Sequence, residues 1–280
     1  MNVYRTVIEP GTANSRYWRD LWSFRGLFYF LAWRDVLVRY KQTTIGVAWS
    51  VLRPLLTLLA MAMLGWLFSS NVPTGVPRLL LVAAATLPWT FFATAFGESA
   101  NSLIANSNLL TKVYFPRLIV PASTVIVCLI DFIISFAILL ALMAWYKFMP
   151  DPHILLLPLF LLLALVTALG SGLLIAALNV KYRDFRYIVP FFVQFGLYAS
   201  PVAFSSSDIY GSDRVPELVK MMYSLNPMVG VIDGFRWCIL GGSAPLHITG
   251  FVISVAISVA MLVFGVFYFR RMERSFADVI

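Results

Sequence analysis

Of 280 residues, 60% are hydrophobic and 12% charged, and the chain carries a net charge of +8. That balance excludes an ordinary soluble domain. The bases lie between apolar runs and are not gathered into one soluble patch, which excludes nucleic acid as the partner they serve. The apolar runs are continuous and do not alternate, so helices that satisfy their own backbone are predicted and strands are not.

Taken in chain order, Arg5, Arg16, Arg19, Arg25, Arg34, Arg39 and Lys41 all precede the first apolar run. No small-residue cleavage site follows an apolar core there, so no cleavable signal peptide is expected. Residues 33–54 read WRDVLVRYKQTTIGVAWSVLRP. Arg34, Arg39 and Lys41 among Trp33, Val36, Leu37 and Tyr40 suit a helix lying on a membrane surface. The chain then turns through Thr43, Thr44 and Gly46 into the first of six runs, at 47–69, 79–99, 118–146, 154–178, 187–203 and 248–269. A hydrocarbon core takes roughly 20 helical residues to cross. The fold class predicted is an all-α integral membrane protein with six transmembrane helices and an N-terminal amphipathic interfacial helix. It forms one domain, with a cytoplasmic and interfacial segment at 1–46, the bundle at 47–269 and a cytoplasmic tail at 270–280.

The bases set the orientation. The N-terminal seven, with Lys112, Arg117, Lys181, Arg183, Arg186, Arg270, Arg271 and Arg274, fall on one side; Arg78, Lys147, Arg214, Lys220 and Arg236 fall on the other. The richer side is cytoplasmic, so both termini are expected inside. Small residues recur every fourth position at Ala164, Ala168, Gly172 and Ala176, and again at Gly250, Ser254 and Ser258. Such stripes let spans approach closely, within one bundle or across a dimer seam, and packing within the bundle is the favoured reading. Between residues 204 and 247 the apolar pieces 218–225 and 228–240 are too short to span. They predict short external re-entrant or surface helices before the last span.

The residues that carry catalysis elsewhere form no constellation. His153 and His247 stand at external span ends without ligand-spaced partners, and Cys128 and Cys238 read as packing residues, so no metal site is expected. None of the five lysines completes a GxxxxGK[ST] loop. A transport subunit is predicted, not an enzyme, and any ATP hydrolysis belongs to another chain. Arg53 and Asp131 fall deep inside spans, where a charge costs on the order of 3 kcal/mol. Asp131 either faces an aqueous channel or pairs with Arg53; Arg53 either does so or reaches the interface or a lipid pyrophosphate.

Residues 100–121, ANSLIANSNLLTKVYFPRLIVP, predict a short helix through Lys112, capped by Asn106 or Ser107 and ended by Pro116. Val113, Tyr114 and Phe115 would then be exposed, as an apolar knob for a partner cleft or as an aromatic interfacial anchor. NLLTKVYFPRLIVP is similar to the coupling-helix region of ABC-2 type exporter permeases that move O-antigen, capsule or teichoic-acid polysaccharides. WRDVLVRYKQTTIGVAWSVLRP resembles their interfacial helix and first span, KYRDFRYIVPF their fourth-to-fifth cytoplasmic loop, and SLNPMVGVIDGFRWCILGG their external region before the last span. The resemblance implies a homodimer in the bacterial inner membrane, paired with two ATPase subunits that hold ATP and Mg. It places the ATPase contact on Ser107, Asn108, Leu109, Leu110, Lys112, Val113, Tyr114 and Phe115. A second contact falls on Arg183, Asp184 and Arg186, for which positive-inside anchoring is the other reading.

A sugar polymer favours flat, amphipathic walls, because aromatic rings stack on sugar faces while Tyr and Trp still offer a hydrogen bond. Phe191, Phe195 and Tyr198 share one face of the fifth span by their spacing. With Trp49 or Trp66 of the first span, that face is the candidate substrate channel for a lipid-linked polysaccharide; packing is the plainer reading. Within the same fold the cargo could instead be a smaller lipid or drug. An enzyme of another class, a polyprenyl-sugar glycosyltransferase or polymerase, would need a catalytic cluster, and Asp208, Asp213 and Glu217 look like solvated loop charges.

Overall fold

The computed structural model describes residues 14–41, 46–68, 75–182, 184–212, 215–241, 244–273 and 276. Every regular element among them is helical. Two N-terminal helices, α1 (Asn14–Ser23) and α2 (Arg25–Lys41), precede α3 (Gly46–Phe68) and α4 (Arg78–Ala105). A short α5 (Ser107–Lys112) leads to α6 (Ile119–Trp145), and a 3-10 turn (Pro152–Leu156) opens α7 (Leu157–Lys181). Then come α8 (Phe185–Ala199), α9 (Ser206–Tyr210), α10 (Glu217–Ser224), α11 (Pro227–Leu240) and α12 (Ile248–Glu273).

Among the described residues, four segments are long and apolar enough to cross a membrane: α4, α6, the 3-10 turn with α7, and α12. The first predicted span corresponds to α3, whose apolar stretch is Val51–Trp66. The fifth, predicted at 187–203, is the 15-residue α8. At 1.5 Å per residue it reaches only about 22 Å, less than a hydrocarbon core. It stops early because Pro201 follows Ser200. A residue before proline is pushed out of the helical region, and Ser200 is extended at φ −104°, ψ 153°.

Helix α4 is the axis of the bundle. Its residues from Leu80 through Trp89 are all buried, and α3, α6, α7, α8 and α11 pack around it. The small-residue stripes pack within the bundle, Gly172 against Ser99 of α4 and Ser254 against Gly230 of α11, while the closest approach of α7 to α12 lies at residues outside them. Gly170 of α7 faces the backbone of α12, where a Cβ would come 2.6 Å from the Leu262 nitrogen. Gly265 in turn approaches the Gly170 carbonyl so closely that a Cβ has no room. Thr167 donates to Ser258 across the same seam at 2.8 Å. Lipid removes the hydrophobic drive between spans, so such close backbone contact is what holds α7 to α12.

The apolar pieces 218–225 and 228–240 form the short helices α10 and α11, and the short α9 precedes them. Helix α11 is apolar nearly all round and is buried against α4, α7 and α12 except at the half-buried Pro227 and Trp237. Its end is fixed by Gly241 (φ +59°), a conformation that suits glycine, with Asp151 filling the space a Cβ would need. His153 stacks on Trp237 at 4.3 Å between centroids, tying the turn before α7 to α11.

Candidate functional site

At its C-terminal end, α4 passes into α5 at Asn106. Asn106 stands at the predicted cap position, but its side chain does not cap α5. Its amide donates to the Ser102 carbonyl at 3.0 Å, and its oxygen accepts from Arg34 Nη2 at 2.8 Å. Asn108, Lys112, Val113 and Tyr114 are exposed, Tyr114 at 71%, while Ser107 and Leu109 are half-buried. Phe115 corrects the sequence reading: it is only 4% exposed and is no part of the apolar knob. It lies with the buried Leu110, Leu31, Leu103 and Leu118 in a cluster that also holds Phe269 and Phe276. Phe115 thus packs with Leu110 of α5 just before the turn at Pro116, while Val113 and Tyr114 stay exposed.

The base of this segment is bonded to the far end of the chain. The Arg117 backbone N–H donates to Glu273 Oε1 at 2.7 Å, and Arg117 Nη1 donates to the Glu273 carbonyl at 2.8 Å. Tyr17 of α1 joins them beside Glu273, its hydroxyl pushed above its ordinary range by burial. Arg270 covers the Tyr17 ring at 4.3 Å. A cation over an aromatic face adds to the tie. Asp184 and Arg186 are exposed at the start of α8; Arg183 lies outside the described residues.

Helix α8 presents Tyr187, Phe191, Phe195 and Tyr198 on an exposed face, with Phe191 and Phe195 in ring contact at 4.2 Å. The opposite side packs on α4, with Val189 buried, Phe192 against Phe96 at 5.9 Å and Gly196 under the Trp89 ring. Trp66 of α3 is 72% exposed, at the end of a row through Leu52, Leu56, Leu59 and Met63. Of Trp49, only its place in α3 belongs to the described structure. One chain thus leaves an aromatic face on α8 and an apolar row on α3 uncovered.

The charges inside spans do not pair as the spacing suggested. Asp131, midway along α6, faces α2 and not Arg53. Arg39 Nη1 is 2.9 Å from Asp131 Oδ2, and the Tyr40 hydroxyl donates to Oδ1 at 2.5 Å. Arg39 Nη2 also donates to Glu98 Oε1 of α4 at 3.2 Å. Arg53 is exposed on α3.

The profile of the family described as "ABC-2 type transporter" matches residues 26–240, the stretch from α2 through α11. The chain is a member of the ABC-2 type transporter family. It is 30% identical over 263 residues to the O-antigen export system permease protein of Myxococcus xanthus, covering 94% of this chain and 98% of that one. It is 25% identical over 256 residues to a protein of the same description from Klebsiella pneumoniae, covering 88% and 92%.

In this ABC-2 transporter chain the sequence reading passed over two groups. Glu98 lies inside the predicted second span, one residue from its end, where a carboxylate is easily taken for an interfacial one. Arg236, counted among external loop bases, is 2% exposed. It donates to three carbonyls, those of Phe204 at 2.8 Å, Val202 at 3.2 Å and Leu81 at 3.3 Å. One turn away Asp233 accepts from Ser206 at 2.8 Å. Burial pushes Asp233 up to about 6. The IDGFRW spacing, an acid and a base three apart inside an apolar run, is the signal that both side chains are buried.

Proposed function

We propose that this ABC-2 transporter chain is the permease of an ATP-driven exporter that carries lipid-linked polysaccharide of the O-antigen class outward across the bacterial cytoplasmic membrane. The observation that carries this reading is near end-to-end similarity to permeases described as O-antigen export proteins, 98% of the Myxococcus xanthus chain being covered. Helices α3, α4, α6, α7, α8 and α12 are the six spans, with α8 completing its passage through residues 200–204. Helix α11 is re-entrant from the outside, and both termini are cytoplasmic, as the distribution of bases favours.

Two copies join two ATPase subunits. The ATPase seats on Asn108, Lys112, Val113 and Tyr114, with Asp184 and Arg186 as the second contact, and ATP and Mg belong to that partner. The uncovered faces of α3 and α8 meet their counterparts across the dimer and form the polymer path. Aromatic walls suit it because they stack on sugar faces without gripping one sugar by a fixed hydrogen-bond set. A host strain lacking this gene tests the reading. It is expected to lose surface polymer and accumulate lipid-linked polymer inside, both reversed by the intact gene; surface polymer unchanged by the deletion would contradict it.

A further inference from the structure

Arg39 stands in the last turn of α2 and reaches carboxylates on two different spans, Glu98 of α4 at 3.2 Å and Asp131 of α6 at 2.9 Å. Those two helices flank the coupling segment: α4 leads into α5 through Asn106, and α6 starts just beyond Arg117. Helix α2 touches the same unit at two further levels. Leu31 lies in the cluster with Leu110 and Phe115, and Arg34 holds the oxygen of Asn106. At its other end α2 leads toward α3, which starts at Gly46 and carries the uncovered row ending at Trp66.

Helix α2 packs along α6 and reaches α4 chiefly through side chains, so the charges that bridge to α4 need a separate account. Ion pairs within apolar spans are costly to place and are kept where they fix a register or serve function. Here the geometry is specific. One guanidinium fork reaches both carboxylates only while α4 and α6 keep their present spacing, and Tyr40 fixes the second oxygen of Asp131. A lysine, a single point charge, cannot span the two in the same way.

We propose that Arg39 is a positioning residue for transport: its bridge between Glu98 and Asp131 locks α4 and α6 to α2, so that a push on the coupling segment moves α2 and α3 with it. The inference rests on the exporter reading above. Loss of the bridge therefore uncouples ATP hydrolysis from export and does not prevent assembly.

The test is made in the native host deleted for this gene and supplied with the parent or a variant. Three readouts are compared: surface polymer, recovery of the ATPase with the tagged chain, and ATP hydrolysis by the purified complex. R39A is expected to lower surface polymer by about tenfold while ATPase recovery and hydrolysis stay within about twofold of the parent. The exchange R39D with D131R keeps one arginine and two carboxylates and is expected to restore at least about a third of parental export, which D131R alone does not. Parental export by R39A, or no restoration by the exchange, overturns the proposal. If R39A is not recovered from membranes, R39K decides: recovery with export reduced supports the bridge, and recovery with parental export overturns it. A parent gene that restores no surface polymer contradicts the exporter reading instead, and is distinct from every outcome for Arg39.

Discussion

Arg117 and Glu273 are joined twice, side chain to backbone in both directions, at 2.7 and 2.8 Å. The pair ties the chain just after the coupling segment to the last turn of α12, so that segment rests on a base fixed from the far end of the sequence. Hydrogen bonds to charged groups contribute about 1.5–3 kcal/mol. E273A should therefore loosen the segment and lower recovery of the ATPase several-fold. E273Q, which keeps an oxygen to accept from the Arg117 N–H, should stay near the parent. Equal losses in the two variants would show that the carboxylate charge, and not the accepted bond, matters.

The aromatic face of α8 gives a second prediction. Truncating Phe195 and Tyr198 together to alanine should abolish export while the ATPase still assembles, because both side chains are exposed in the single chain and support no core. Surface polymer measured beside ATPase co-purification checks this. Unchanged export would remove the two residues from the path.

Close packing of α7 on α12 gives a third. G265A places a methyl group against the Gly170 carbonyl, where none fits. Overpacking of this kind costs about 1–3 kcal/mol. The midpoint of thermal unfolding in detergent should fall by several degrees, whereas G97A, at a glycine with open space around it, should not shift it.

Buried Asp233 of α11 gives a pH dependence. Burial raises Asp233 to about 6 in the folded chain, above the roughly 3.9 of an unfolded one. The fold therefore favours the protonated form. That favourable contribution is present in full below about pH 4 and is lost as pH rises through about 6, by at most on the order of 3 kcal/mol. D233N, neutral at every pH, should unfold at a higher temperature than the parent at pH 7.5 and at nearly the same temperature at pH 4.5. A difference that does not change with pH would contradict this account.

Continuous apolar runs made α4, α6, α7 and α12 legible in the sequence, whereas Gly170 and Gly265, where α7 and α12 come closest, stand outside the four-residue stripes. Helix α5 followed from Asn106 and Pro116, although Asn106 spends its side chain on Arg34 and Ser102 and not on a cap. What stayed hidden depends on how helices fold back. Phe115 looks as exposed as Tyr114 in the sequence, yet it is buried in a cluster with Leu31, Leu110 and Phe269 from distant helices. Asp131 seemed matched to Arg53 by depth along neighbouring spans. Nothing in the residue order shows that α2 packs along α6 and delivers Arg39 and Tyr40 instead. Arg236 passed as a loop base because charge counting cannot see three carbonyls converging from α4 and the turn after α8.

On the proposed function, this chain and an ATPase together move lipid-linked polymer across the membrane. Inverted inner-membrane vesicles containing the chain and its ATPase, loaded on the outside with lipid-linked polymer from the same cells, test it most directly. Adding ATP should carry polymer into the lumen, where an added glycosidase cannot reach it, and vesicles lacking this chain should leave it exposed. Equal protection with and without the chain, or none on adding ATP to the complete pair, would contradict the account.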